Sequence, residues 1–130
     1  MSETATHDVR DLLDTVERYF DALYTGDTQL FASVMHPHIL LYCPTAKPPL
    51  VMDLDSYLDL VRGRPSPASR QDPRHDRVIS IDMTSPSTAH VCVQDAYLPR
   101  LFTDDLTLVR PDSQSKWRIV SKVWHYEEME

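Results

Sequence analysis

Glycine is nearly missing from this chain: there are two in 130 residues, Gly26 and Gly63. So few cannot build a glycine-rich loop around a phosphate, which removes the common nucleotide-binding motifs. Long apolar runs are missing too. The longest, such as Ile39-Leu40-Leu41, are strand-sized, and Met1 to His7 hold neither a basic region nor an apolar stretch. No membrane span and no signal peptide are expected. Cysteine is scarce as well, at Cys43 and Cys92. Without an export signal, the two are expected as reduced core thiols of a cytoplasmic protein. Finally, no cluster of Lys and Arg offsets a net charge of −7. The densest stretch, Arg62, Arg64, Arg70, Arg74 and Arg77, is broken by prolines and by Asp72 and Asp76, and reads as a solvated loop. An acidic surface repels phosphate backbones, so nucleic-acid binding is not expected.

What the chain has is a globular composition, 42% hydrophobic, at a length suited to one domain over residues 1–130. Val9, Leu12, Leu13, Val16, Phe20 and Leu23 recur every three or four residues, the spacing of one helix face. Gly26 stands where a left-handed cap would end that helix, and Asp27 can cap a second one whose buried face is Leu30, Phe31, Val34 and Met35. Pro37 is expected to end the second helix. A strand over Ile39–Cys43 follows, then a third helix with Leu54, Tyr57, Leu58 and Val61 on one face and Gly63 at its end. Residues 64–75, rich in proline, read as a flexible loop, as do residues 1–7. Four strands complete the chain: Val78–Met83, Ala89–Leu98, Leu106–Arg110 and Trp117–Tyr126. Helices first, then strands joined by short turns, predict an α+β fold with an antiparallel meander.

Strict alternation in the last strand puts Trp117, Ile119, Ser121, Val123 and His125 on one face, taken as inward. Arg118, Val120, Lys122, Trp124 and Tyr126 fall on the other. Aromatic residues and arginine are enriched in interfaces, so a homodimer through Arg118, Trp124 and Tyr126 is expected.

Several short motifs, taken together, resemble a known family. Val16-Glu17-Arg18-Tyr19-Phe20, then Gly26-Asp27, Leu30-Phe31 and Met35-His36-Pro37-His38, resemble the opening of the nuclear transport factor two-like (SnoaL-like) superfamily. The ending Lys116-Trp117-Arg118-Ile119-Val120-Ser121-Lys122-Val123-Trp124-His125-Tyr126 resembles its subgroup labelled putative lumazine-binding. The resemblance implies a cone: three helices packed on a curved antiparallel sheet (cystatin-like), dimerising through the convex face. It implies no single activity, because the superfamily hosts isomerases, cyclases, dehydratases and plain binding domains.

Comparison with the ketosteroid isomerases of that superfamily sharpens the candidates. They use a tyrosine on the first helix, a general-base aspartate late in the first strand, and a protonated acid deep in the sheet. Registering the Gly-Asp step puts Tyr19 at the tyrosine position, Cys43 where the base belongs, and the deep acid near Asp105. A neutral cysteine cannot replace that base, so isomerisation of this type is not expected. Cys43 as a nucleophile needs a histidine or a cation beside it; a structural thiol is the simpler reading. His36-Pro37-His38 lacks a third ligand unless His90, His125 or Asp95 converges on it, so no metal is expected. His36 is instead expected to support the helix end. No cofactor is expected.

The remaining candidates form a cavity set. Tyr19, Phe31, Met35, Tyr42, Cys43, Tyr57, Val61, Tyr97 and Val123 are expected to line a ligand site. Asp95, Asp105 and His125 are the candidate acid–base groups, since a mostly apolar cavity with a few converging polar groups is the usual small-molecule site. Two functions follow as expectations: a small-molecule-binding domain, for a flat aromatic or heteroaromatic ligand, or a SnoaL-type lyase, cyclase or isomerase using an Asp/His pair. A dimerisation module serving another protein is a third.

Overall fold

The structure, a computed structural model, describes the backbone of residues 3–129 and the side chains of residues 9–129. The expectation for residues 1–7 lies outside the described residues at Met1 and Ser2. Helix α1 (Glu3–Thr25) ends where Gly26, at φ 70, donates its N–H to the Ala22 carbonyl at 2.8 Å. Only a residue without Cβ adopts that conformation cheaply, and a Cβ here would also come within 3.2 Å of the Ser66 Cβ. The Asp27 carboxylate then accepts from the Gln29 and Leu30 N–H groups and starts α2 (Thr28–Val34). Helix α3 (Leu54–Arg62) is capped in the same way by Asp53 and buries Tyr57, Leu58 and Val61.

The six strands are β1 (Met35–Cys43), β2 (Leu50–Met52), β3 (Arg77–Ser85), β4 (Thr88–Tyr97), β5 (Arg100–Val109) and β6 (Arg118–Glu128). They form one sheet in the order β2-β1-β6-β5-β4-β3. The meander from β3 to β6 is antiparallel, as tight turns demand. The expected all-antiparallel sheet needs one correction: β1 runs parallel to β6. No tight turn joins those two strands, so nothing local imposes the antiparallel sense on them. Three helices packed on this curved mixed sheet make an α+β cone.

Strand β1 also corrects the expected end of the second helix. The helix stops at Val34, and Met35 is already extended, with its N–H on the Phe31 carbonyl. Pro37 lies inside β1, in the irregular stretch between Met35 and Leu40 where pairing with β6 slips. A residue without an N–H costs no ladder bond there. His36 therefore does not close the helix; its Nδ1 accepts from the His38 N–H at 3.0 Å on an exposed edge.

A second slip has wider consequences. Leu108 pairs with Ile119 but Thr107 pairs with Ser121, so Val120 is an extra residue bulged out of β6. One inserted residue moves every later side chain to the opposite face. Ile119 points into the core with Trp117, whereas Lys122 and Trp124 now take the inward positions and are buried. Ser121, Val123 and His125 turn outward. Trp124 and Tyr126 thus cannot form the expected dimer face with Arg118.

The core is contiguous. Leu12, Val16 and Tyr19 of α1 meet Phe31 and Val34 of α2, and both helices rest on Leu41, Val91, Leu106, Leu108 and Ile119 of the sheet. Residues 64–75, between α3 and β3, contain a short 3-10 turn at Ala68–Arg70. They are bound to the domain through Tyr97 Oη on the Pro65 carbonyl and Tyr24 Oη on the Asp72 carbonyl, both at 2.8 Å. Among the described residues, no helix is long and apolar enough to cross a membrane.

Candidate functional site

At the end of the sheet not filled by α1 and α2, the inward side chains enclose a cavity of about 380 Å³. Its walls are Tyr57 and Leu60 of α3, Phe102, Trp124 and Tyr126 of the sheet, and Leu50 and Met52 of β2. Its polar groups are few: Asp95 and Lys122 inside, Arg64 and Arg100 at the mouth.

The floor is a buried charge network. Tyr19 Oη donates to Asp104 Oδ2 at 2.7 Å, and Lys122 Nζ stands 4.0 Å from the same oxygen. The ammonium also donates to Tyr57 Oη at 3.4 Å. It lies over three rings, at 5.0 Å from Tyr57, 5.3 Å from Tyr19 and 5.4 Å from Trp124. Phe31 braces two of these rings edge-on, at 5.4 Å from Tyr57 and 6.3 Å from Tyr19. On β4, Asp95 stands diagonally across from Asp104, which pairs with Val93. The Asp95 and Asp104 carboxyl groups hydrogen-bond each other, and Asp95 Oδ2 and Asp104 Oδ1 have no further partner among the described residues. That geometry suits one proton shared between the two carboxyl groups.

The protonation states follow from burial and neighbours. Burial first, then the negative charge of Asp104, pushes the Asp95 carboxyl well above the usual carboxylate range. Asp95 therefore holds its proton to higher pH than an exposed carboxyl does. Burial alone draws the Lys122 ammonium down, but Asp104 overrides it, and the net direction is upward. Lys122 keeps its charge. The Tyr19 hydroxyl is raised well above its ordinary value, by burial and then by Asp104, and stays a donor. The floor thus offers an Asp104–Lys122 ion pair and, bordering the cavity, one carboxyl with raised proton affinity.

The expected site residues divide by strand parity. Cys43, Tyr57, Tyr97 and Asp95 line the cavity. Tyr19, Phe31, Met35 and Val61 are buried beneath or behind it. Tyr42, Val123, Asp105 and His125 lie on the opposite face, where Tyr42 pairs with Val123 and Val123 with Asp105. The expected Asp105–His125 acid–base pair therefore does not meet the ligand space. His125 Nδ1 is 3.4 Å from Thr45 Oγ1 on the exposed side. Cys43 Sγ meets Thr45 Oγ1 at 3.7 Å, and that hydroxyl stands between it and His125; among the described residues no histidine hydrogen-bonds the thiol directly. His90 is also outside, 3.3 Å from Thr107 Oγ1. Among the described residues, no three His, Cys, Asp or Glu side chains gather as a metal site.

Sequence reasoning passed over Asp104, Lys122, Phe102, Trp124, Tyr126, Arg64 and Arg100. A signal for Asp104 existed: it shares strand parity with Leu106 and Leu108, both core residues.

The family model described as putative lumazine-binding matches residues 7–125. The chain belongs to that family. It lies within the nuclear transport factor two-like superfamily, in keeping with the cone. A nuclear transport factor two-like protein of unknown function from Silicibacter pomeroyi superposes with a TM-score of 0.82 at 19% identity, covering 98% of this chain and 100% of its own. Another from Shewanella baltica gives 0.81 at 13% identity, with 98% of each chain covered. A CaMKII hub from S. rosetta gives 0.66 at 15% identity, covering 91% of this chain and 95% of its own. At such identities these structures share the fold alone with this family member. No curated protein matches the sequence.

Proposed function

We propose that this protein is a small-molecule-binding domain whose ligand occupies the cavity between α3 and the open end of the sheet. One observation carries the reading: an aromatic-walled space of about 380 Å³ that opens onto the buried Asp95 carboxyl and Lys122 ammonium. A mostly apolar cavity with a few converging polar groups is the usual small-molecule site. The family's description as lumazine-binding supports a flat heteroaromatic occupant. Native mass spectrometry of wild type and Leu60→Trp, which puts a larger ring in the cavity wall, tests it. A small molecule retained by wild type and lost from the variant is expected. An empty wild type whose Trp124 indole signal ignores a panel of planar aromatic compounds would sink the reading.

A catalytic alternative is supported by the buried Asp95 carboxyl bordering the cavity near Tyr19 and Lys122, its proton affinity raised by burial and then by Asp104, a set able to donate a proton to a bound substrate. Asp95→Asn separates the two readings: loss of turnover with affinity kept favours catalysis.

A homodimer through the convex face is the accompanying reading. Its support is the exposed apolar set Leu40 (51%) and Val51 (58%), continued by Tyr42 and Val123. Light scattering that finds a monomer at tens of micromolar would exclude it. The unbridged Cys43 and Cys92 fit a reducing, cytoplasmic setting.

A further inference from the structure

We infer that the ligand is an aromatic acid: a planar ring system inside the cavity and a carboxylate at its mouth, held between Arg64 and Arg100. This rests on the binding reading above and adds the chemistry of the occupant.

The mouth supplies the first argument. The Arg64 guanidinium lies over the Tyr97 ring at 4.3 Å, and that of Arg100 over the Tyr126 ring at 4.5 Å. Both arginines border the cavity. Tyr97 and Arg100 are paired in the β4–β5 ladder, so the two stacks share one end of the sheet. Stacking uses the face of a guanidinium and leaves its in-plane N–H groups free, in the fork that a carboxylate fits.

Charge pairing elsewhere gives those free donors meaning. Arg62, Arg70 and Arg74 each hold an aspartate, at 2.9 Å (Asp59), 2.8 Å (Asp72) and 2.7 Å (Asp76). In a chain with 20 acidic residues against 13 basic ones, carboxylates are plentiful. Yet among the described residues none is paired with Arg64 or Arg100, although Glu128 lies opposite Arg100 in register. Arg10, Arg77 and Arg118 are likewise without an aspartate or glutamate, but they border no cavity.

The floor decides the ligand's polarity. A cationic ligand is excluded because Lys122 already fills the aromatic cage with its own ammonium. A deep anion is excluded because it would meet the Asp104 charge, while Lys122, the cation beside it, is committed to Asp104. What fits beside the Asp95 carboxyl is a neutral polar group, such as a ring nitrogen or carbonyl. The charge of the ligand therefore belongs outside, at the arginines.

The experiment follows the Trp124 indole N–H cross-peak by NMR during titration with 2-naphthoate and, separately, with its neutral analogue 2-naphthamide. Both are expected to move it in wild type, with the carboxylate binding roughly tenfold tighter at low salt. In Arg64→Gln/Arg100→Gln the advantage should vanish while naphthamide binds as before, which also shows that the variant is folded. Leu60→Trp, which narrows the cavity from the α3 wall, should abolish both titrations. Equal affinity of the two probes in wild type, or a preference that survives the double substitution, overturns the acid assignment and leaves the cavity reading standing. A Trp124 signal that neither probe moves overturns both.

Discussion

Asp104 and Asp105 are consecutive on β5, yet they belong to different chemistries. Asp104 has no exposed surface, accepts from Tyr19 and balances Lys122. Asp105 faces outward beside Cys92. Burial, followed by the Asp105 charge, makes that thiol a weaker acid, so it is held away from reactivity. The same division runs along β6, where Lys122 and Trp124 look into the cavity and His125 looks away. Residue type does not separate the two faces, since each carries carboxylates, tyrosine and cysteine. Parity along the strand does, together with the Val120 bulge that resets it on β6.

The largest expected effect breaks the division itself. Deleting Val120 removes the extra residue of β6 and turns Lys122, Trp124 and Tyr126 toward solvent. The loss should approach the protein's whole stability, ~5–15 kcal/mol, and abolish cooperative urea unfolding; a folded deletion variant would disprove the bulge's role. Next comes Lys122→Met, which strands the Asp104 charge and should cost ~3–5 kcal/mol. His125→Ala on the outer face should stay within about 0.5 kcal/mol of wild type. Equal costs for those two would erase the contrast. Asp104→Asn against Asp105→Asn is a finer version: ~1–3 kcal/mol for the inner residue and near zero for the outer, by the same unfolding measurement.

The smallest effect is a change of slope. A carboxyl that stays protonated in the fold binds a proton that the unfolded chain has already lost. The Asp95 contribution is therefore fully present below the ordinary carboxylate value, about 3.9, and is lost as pH rises through the elevated value of the folded state. Asp95→Asn should flatten that decline. Parallel stability–pH curves for variant and wild type would show that Asp95 is ionised in the fold.

Much of the frame was legible because local rules wrote it. The α1 face from Val9 to Leu23, the Gly26 turn and the Asp27 cap are set by spacing and backbone sterics, which a sequence displays directly. The parallel pairing of β1 with β6 was not legible, because no turn chemistry joins them. Nor was the Val120 bulge, which Ile119-Val120 conceals by offering two apolar residues where alternation expects one. That hidden step misplaced His125, Val123 and Trp124 together. Asp105 was preferred to Asp104 for want of extending parity back from Leu106 and Leu108. A buried lysine has no signature of its own, since only its partners make it tolerable.

The Asp104–Lys122–Tyr19–Tyr57 floor also bears on how such a protein can diverge. Replacing one member strands another in a dry place, so the group resists stepwise drift and changes only by concerted replacement. The aromatic walls answer to shape alone and can exchange rings for aliphatic chains one at a time. Relatives of this cone should therefore keep or discard the acid and the ammonium jointly, while their walls vary freely. A lineage's choice of ligand would then be recorded in its walls, and its ancestry in its floor.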